Sequence, residues 1–64
     1  MAYEFTVPNM ACSACSDTIT KAIHAIDAGA TVQTDVKTKQ VTVDTEAAEA
    51  DIRKAIADAG YTIA

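Results

Sequence analysis

Hydrophobic and polar residues alternate at the start of the chain. Tyr3, Phe5 and Val7 interleave with Glu4 and Thr6, the period of a strand with one buried face, and Pro8 and Asn9 end it. From Ser13 the period lengthens: Cys15, Ile19, Ala22, Ile23 and Ile26 form one stripe of an α-helix, with Asp17, Lys21 and His24 on the opposite face. Asp27, Ala28 and Gly29 end this helix, and Gly29 suits a left-handed cap. A second alternation sets Ala30, Val32, Thr34 and Val36 against Thr31, Gln33 and Asp35. The polar turn Lys37-Thr38-Lys39 then leads to Val41 and Val43, with Thr42 and Asp44 outward, which predicts a β-hairpin. Thr45 is the expected N-cap of a second helix with the stripe Ala48, Ile52, Ala55, Ile56 and Ala59, and Glu46 and Glu49 favour the positive end of its dipole. Gly60 stops that helix before a short last strand, Tyr61 to Ile63.

The order is βαββαβ, two βα units with matching apolar stripes. Right-handed crossovers then give an α+β ferredoxin-like sandwich, a four-stranded antiparallel sheet with two helices on one face. Residues 1–64 read as a single domain, because no linker, low-complexity stretch or charge block interrupts the pattern.

Length and composition narrow what such a domain can do. Sixty-four residues leave no room for a multi-domain enzyme, and with one Phe, two Tyr and no Trp the core is built from Ala, Val and Ile. The formal net charge of -4, with no basic cluster longer than Arg53-Lys54, argues against nucleic acid and against anionic lipid, and favours a basic surface on a protein partner. No apolar run approaches the ~20 residues of a membrane span, and Met1-Ala2-Tyr3-Glu4 lacks the basic and apolar regions of a signal peptide, so the expected location is the cytoplasm. In that reducing compartment two cysteines point to metal binding or redox chemistry rather than a permanent disulfide.

Both cysteines fall in Met10-Ala11-Cys12-Ser13-Ala14-Cys15, between the first strand and the first helix. Two intervening residues let both sulfurs face one atom, and the first helical turn, with its unpaired N–H groups and positive dipole end, stabilises thiolate. Two soft thiolates match a soft d10 ion such as copper(I), whereas zinc and iron–sulfur clusters take about four ligands and would need a second chain. A thioredoxin-like dithiol has the same spacing but needs a longer chain. Inert buried cysteines are the remaining alternative, opposed by the exposed placement of a loop that enters a helix.

With Met10, Cys12 and Cys15 matching MxCxxC, Gly60-Tyr61 matching the aromatic-bearing loop before the last strand, and the βαββαβ order, the whole chain resembles the heavy-metal-associated domain family of copper chaperones and copper-transporting P-type ATPases. The stretch Thr6 to Cys15, with Ala30-Thr31-Val32-Gln33, looks closest to small bacterial chaperones of the cyanobacterial type. The resemblance implies a non-enzymatic carrier in which Cys12 and Cys15 hold Cu(I) and pass it by thiolate exchange to the metal-binding domains of copper-transporting P-type ATPases. It leaves two other roles: an amino-terminal domain cut from such an ATPase, and a metal-buffering or dithiol redox module. A copper-bridged homodimer is a further possibility, since both thiolates are expected to be exposed.

Three positions depart from family patterns. Asn9 stands where many members have Gly, and is expected to tolerate the positive φ that closes the loop. Tyr61 stands where the cyanobacterial chaperones tend to place His and most other bacterial members have Tyr, so the resemblance does not carry over a third nitrogen ligand. Ala11 stands where zinc-exporting relatives have Asp, which favours copper(I). Met10 is expected to act as an apolar plug supporting the loop rather than as a ligand, and Tyr61 to lie near the thiolates or to end the core. His24, Asp17 and Lys21 are expected on the solvated face, His24 too far round and along the helix to reach the cysteines.

Overall fold

The computed structural model describes residues 2–64. Strand β1 (Ala2–Thr6) leads through the cysteine loop into helix α1 (Ser13–Ile26), followed by β2 (Thr31–Asp35), β3 (Gln40–Asp44) and α2 (Glu49–Asp58). The strands form an antiparallel sheet in the order β1-β3-β2, with Phe5 opposite Val41 and Tyr3 opposite Val43 on one side, and Val32 opposite Val43 on the other. This register puts the apolar set of every strand on one face, because side chains alternate with a period of two. Both helices cover that face, and Phe5, Val7, Met10, Ile19, Ile23, Val41, Val43, Ile52 and Ile56 are all buried.

The expected fourth strand is absent among the described residues. Only one backbone bond joins the last segment to β1, Ala64 N–H to the Thr6 carbonyl at 2.9 Å. The N–H of Thr62 is held instead by the side chain of Asn9, Oδ1 at 3.1 Å. Residues 61–63 therefore lie along the edge of the sheet without a ladder, while Tyr61 and Ile63 still pack against the core.

Local chemistry replaces three other expectations. Gly29 has no left-handed conformation: Asp27 ends α1 in an extended conformation, φ −145°, and its Oδ1 accepts the Gly29 N–H at 3.0 Å, so a side chain closes the turn. Thr45 does not cap α2, whose N-cap is Ala48; Thr45 is buried, donates to Asp27 Oδ2 at 2.6 Å and accepts the Ala47 N–H at 3.1 Å. Asn9 is not in the left-handed region either. Lys39, at φ 64°, is the only non-glycine residue there among those described. Ile26 lies on the α1 stripe by angle but is 48% exposed, in the last turn of a helix of 14 residues against 10 in α2.

Gly60 does what its position predicts. With φ 97° it ends α2 in a paired motif: its own N–H bonds to the Ala57 carbonyl at 3.0 Å and that of Tyr61 to the Ile56 carbonyl at 3.3 Å. The motif turns the chain back toward the cysteine loop and delivers Tyr61 there.

Candidate metal centre

The spacing of the two cysteines becomes geometry at the start of α1. Cys12 is the N-cap, in an extended conformation (φ −156°, ψ 171°), and its carbonyl accepts the N–H groups of Cys15 at 3.1 Å and Ser16 at 3.3 Å. That first turn folds the third helical residue back over the cap and brings the two sulfurs to 3.5 Å. Both thiols are free, Cys12 exposed and Cys15 half-buried. The first turn of α1 holds no carboxylate, so nothing there opposes the positive end of its dipole.

Cys15 is the electrostatically altered thiol, lowered from 9.0 to about 7. The largest cause is a hydrogen bond from Tyr61, followed by the backbone at Ala11 and the Cys12 side chain, against a smaller opposing effect of burial. The same contact raises the Tyr61 hydroxyl, which Thr18 lowers in turn. A phenol that donates to a thiolate stabilises the anion and becomes harder to ionise itself, which accounts for both shifts with one interaction.

The loop beneath the cysteines is fixed from three directions. Met10 is fully buried, its N–H bonds to the Val7 carbonyl at 3.0 Å, and its thioether sulfur accepts the Ser16 hydroxyl at 3.7 Å. The Lys39 ammonium donates to the Met10 carbonyl at 2.8 Å, and the Val7 N–H bonds to the Lys39 carbonyl at 2.8 Å. Asn9 holds the far side, through Thr62 and, at 3.5 Å, the Gly60 carbonyl.

The structure thus brings Cys12, Cys15, Met10 and Tyr61 together and leaves the other polar residues of α1 elsewhere. Asp17 and Lys21 are exposed. His24 is exposed as well, nine residues and roughly 13 Å along the helix from Cys15, with Nε2 2.9 Å from the Ala30 carbonyl. Among the described residues no group of three or more His, Cys, Asp or Glu could hold a metal. A cleft of about 240 Å³ lined by Asp27, Gly29, Thr31, Asp44, Thr45 and Glu46 lies at the other end of α1, away from the sulfurs.

Four contributors escape a reading of the sequence. Ser16 and Thr18 carry a weak signal, one and three residues beyond Cys15. Lys39 and the side-chain role of Asn9 carry none, because their partners lie 29 and 51 to 53 residues away.

The sulfur gap suits a shared ion. Two metal–sulfur bonds of about 2.3 Å span up to roughly 4.6 Å, so both thiolates can reach one ion with little movement. Two sulfurs without a third ligand fit a soft ion of low coordination number and leave zinc short of its usual four.

Residues 4–62 match the heavy-metal-associated domain. The copper chaperone Atx1 from Synechocystis PCC6803, in a trimeric Cu1 form carrying a histidine-to-tyrosine substitution, superposes with a TM-score of 0.94 at 45% identity over 97% of this chain and 98% of that one. The solution structure of a cyanobacterial copper metallochaperone, ScAtx1, gives 0.83 at 44% identity over the whole of both chains. The periplasmic component of a mercuric transport protein from Pseudomonas aeruginosa is 39% identical over 59 residues, 88% of this chain, which spans 65% of that protein's length. No helix among the described residues is long and apolar enough to cross a membrane. The chain belongs to the heavy-metal-associated domain family and resembles its cyanobacterial-type copper metallochaperones.

Proposed function

We propose that the protein is a cytoplasmic copper(I) chaperone that carries the ion on Cys12 and Cys15 and catalyses no reaction of its own. The observation that carries this reading is the pair of free thiols 3.5 Å apart at an unopposed helix N-terminus, one of them lowered to about 7. Copper(I) is the cargo, a soft d10 ion satisfied by two thiolates. The receiving partner is a metal-binding domain of a copper-transporting P-type ATPase with a similar pair of cysteines.

Transfer proceeds by ligand exchange. The exposed Cys12 side of the site lets an incoming thiolate bind before an outgoing one leaves, so each sulfur lost is replaced and the ion is never bare. Tight equilibrium binding is then compatible with fast hand-off, because the barrier depends on access and not on affinity. Met10, buried under the loop and bonded to Ser16, acts as a support and leaves coordination to the cysteines. Tyr61 lowers the Cys15 thiol to about 7, so a large share of it is thiolate at neutral pH while the site is empty.

Anaerobic titration of the reduced protein with copper(I) against a competing chelator tests the reading, with zinc(II) in parallel and a Cys12→Ser/Cys15→Ser variant as control. Tight copper(I) binding, weak zinc binding and loss of both in the variant support it. Preferred zinc binding, or copper retained without the cysteines, overturns it.

Mercury(II) is the second reading worth testing, on the strength of the 39% identity to a mercuric transport component. It too is a soft ion suited to two thiolates. The same titration extended to mercury(II), followed by transfer to a second dithiol domain, separates a dedicated copper carrier from a general carrier of soft ions.

A further inference from the structure

Asn9 stands where the chain would use backbone flexibility if the loop needed it, yet its φ lies outside the left-handed region. Its side chain is what the structure uses. Oδ1 accepts the Thr62 N–H at 3.1 Å, and Nδ2 lies 3.5 Å from the Gly60 carbonyl, the weaker of the two contacts. The orientation of the amide follows from chemistry, since the reverse would set its NH2 against the Thr62 N–H, donor against donor. A carbonyl at residue 60 and an N–H at residue 62 are the two groups that one residue of a parallel neighbouring strand would engage across residue 61. Asn9 engages both with one side-chain amide.

We propose that Asn9 is a positioning residue: its amide substitutes for a strand, clasps the backbone on either side of Tyr61 and thereby holds the Tyr61 ring against Cys15. Three features of the surroundings make the clasp matter. The segment 61–64 has one backbone bond to the sheet, from Ala64, so nothing else in the ladder fixes residue 61 from that side. The Gly60 motif fixes only the amino-terminal side of Tyr61, through its N–H to Ile56. Asn9 itself lies one residue before Met10, whose carbonyl and sulfur are anchored by Lys39 and Ser16, so the clasp is mounted on the most restrained part of the loop. The two halves of the centre, the cysteine turn and the tyrosine, are thus joined by one exposed side chain.

The functional consequence rests on the copper reading. A ring held beside Cys15 limits how an incoming ligand approaches the ion, so release of the clasp opens the site without removing either sulfur. Asn9→Ala is the direct variant, and it fits the backbone because residue 9 is exposed and has no positive φ. The structural arm uses metal-free reduced protein. In Asn9→Ala, hydrogen exchange at the Thr62 amide accelerates about tenfold or more, and the nuclear Overhauser contacts between the Tyr61 ring and the Cys15 β-protons weaken, while the denaturation midpoint moves little. The functional arm measures copper(I) removal by a chelator for wild type, Asn9→Ala, Tyr61→Ala and the double variant. Removal accelerates several-fold in Asn9→Ala and not further when the same change is made in Tyr61→Ala, because a positioning residue acts only through the residue it positions. Undisturbed ring contacts in Asn9→Ala, or effects of the two substitutions that add, overturn the proposal. If the Cys12→Ser/Cys15→Ser variant keeps its copper, the copper reading fails on its own, and the metal-free arm decides the role of Asn9 alone.

Discussion

The Lys39 ammonium donates to the Met10 carbonyl at 2.8 Å, so the β2–β3 hairpin turn and the metal-loop methionine are held together across 29 residues of sequence. Lys39, the last residue of that turn, has a left-handed backbone, φ 64°, which costs an L-residue about 1–2 kcal/mol. A charged hydrogen bond of this kind contributes a similar amount, about 1.5–3 kcal/mol. Lys39→Met, which loses the bond and keeps the backbone cost, is expected to lower stability by about 1.5–3 kcal/mol. Lys39→Gly loses the bond and relieves the backbone, so it should cost roughly 1 kcal/mol less than Lys39→Met. Urea unfolding of both variants measures the difference, and equal losses would remove the argument from strain.

Alkylation of Cys15 should follow a pH midpoint near 7, resolved from Cys12 by peptide mass spectrometry. Tyr61 is the largest cause of that lowered value, so Tyr61→Phe should move the midpoint upward toward 9.0. The linkage to metal follows the same sign. Below about pH 7 the ion must displace a proton from Cys15, so apparent affinity rises with pH through that region and the Cys15 contribution flattens above it. Chelator competition between pH 6 and 8 reads this slope.

Acid stability is governed in part at the other end of the molecule. The hydrogen bond from buried Thr45 holds the Asp27 carboxyl below its ordinary value, with further help from the Gly29 N–H. A carboxylate whose folded value is depressed contributes stability that is full above its ordinary value of 3.8 and is lost as pH falls through the lower, folded value. Thr45→Val, which keeps the shape and removes the donor, should reduce stability at neutral pH and flatten its decline below pH 4. Thermal melts between pH 2.5 and 7 on the wild type and the variant give the comparison.

The core leaves little margin. Ile19 is fully buried between helix and sheet, and Ile19→Ala is expected to cost about 2–5 kcal/mol, against the roughly 3–5 kcal/mol that a domain this small retains in total. The metal-free variant should be largely unfolded at 37 °C. Copper(I) at a hundredfold over its dissociation constant restores about 2.7 kcal/mol. Circular dichroism with and without copper(I) checks both statements, and a well-folded metal-free variant would contradict the first.

Much of this protein is legible in one dimension because its core elements follow local periodicity. Alternation at Tyr3, Phe5, Val41 and Val43, and the stripes through Ile19 and Ile23 and through Ile52 and Ile56, determined which faces are buried, and the tertiary structure keeps all of them. The pair Cys12 and Cys15 is equally local, since one helical turn suffices to bring two residues at that spacing together. Gly60 is legible for the same reason, its positive φ being a property of the helix end it closes.

The features that depend on distant partners were decided only by the fold. Thr45 looks like a helix cap beside its own helix, but Asp27, 18 residues earlier, takes its hydroxyl. Asn9 looks like a residue chosen for its backbone, but Gly60 and Thr62 arrive beside its side chain. The segment after Gly60 has the alternation of a strand, yet a side chain takes the N–H that a fourth strand would have used. Sequence periodicity records which side of an element is apolar, because burial averages over many neighbours. It does not record which single polar group meets which, because that depends on distances of a few tenths of an ångström set by the packing of the whole chain.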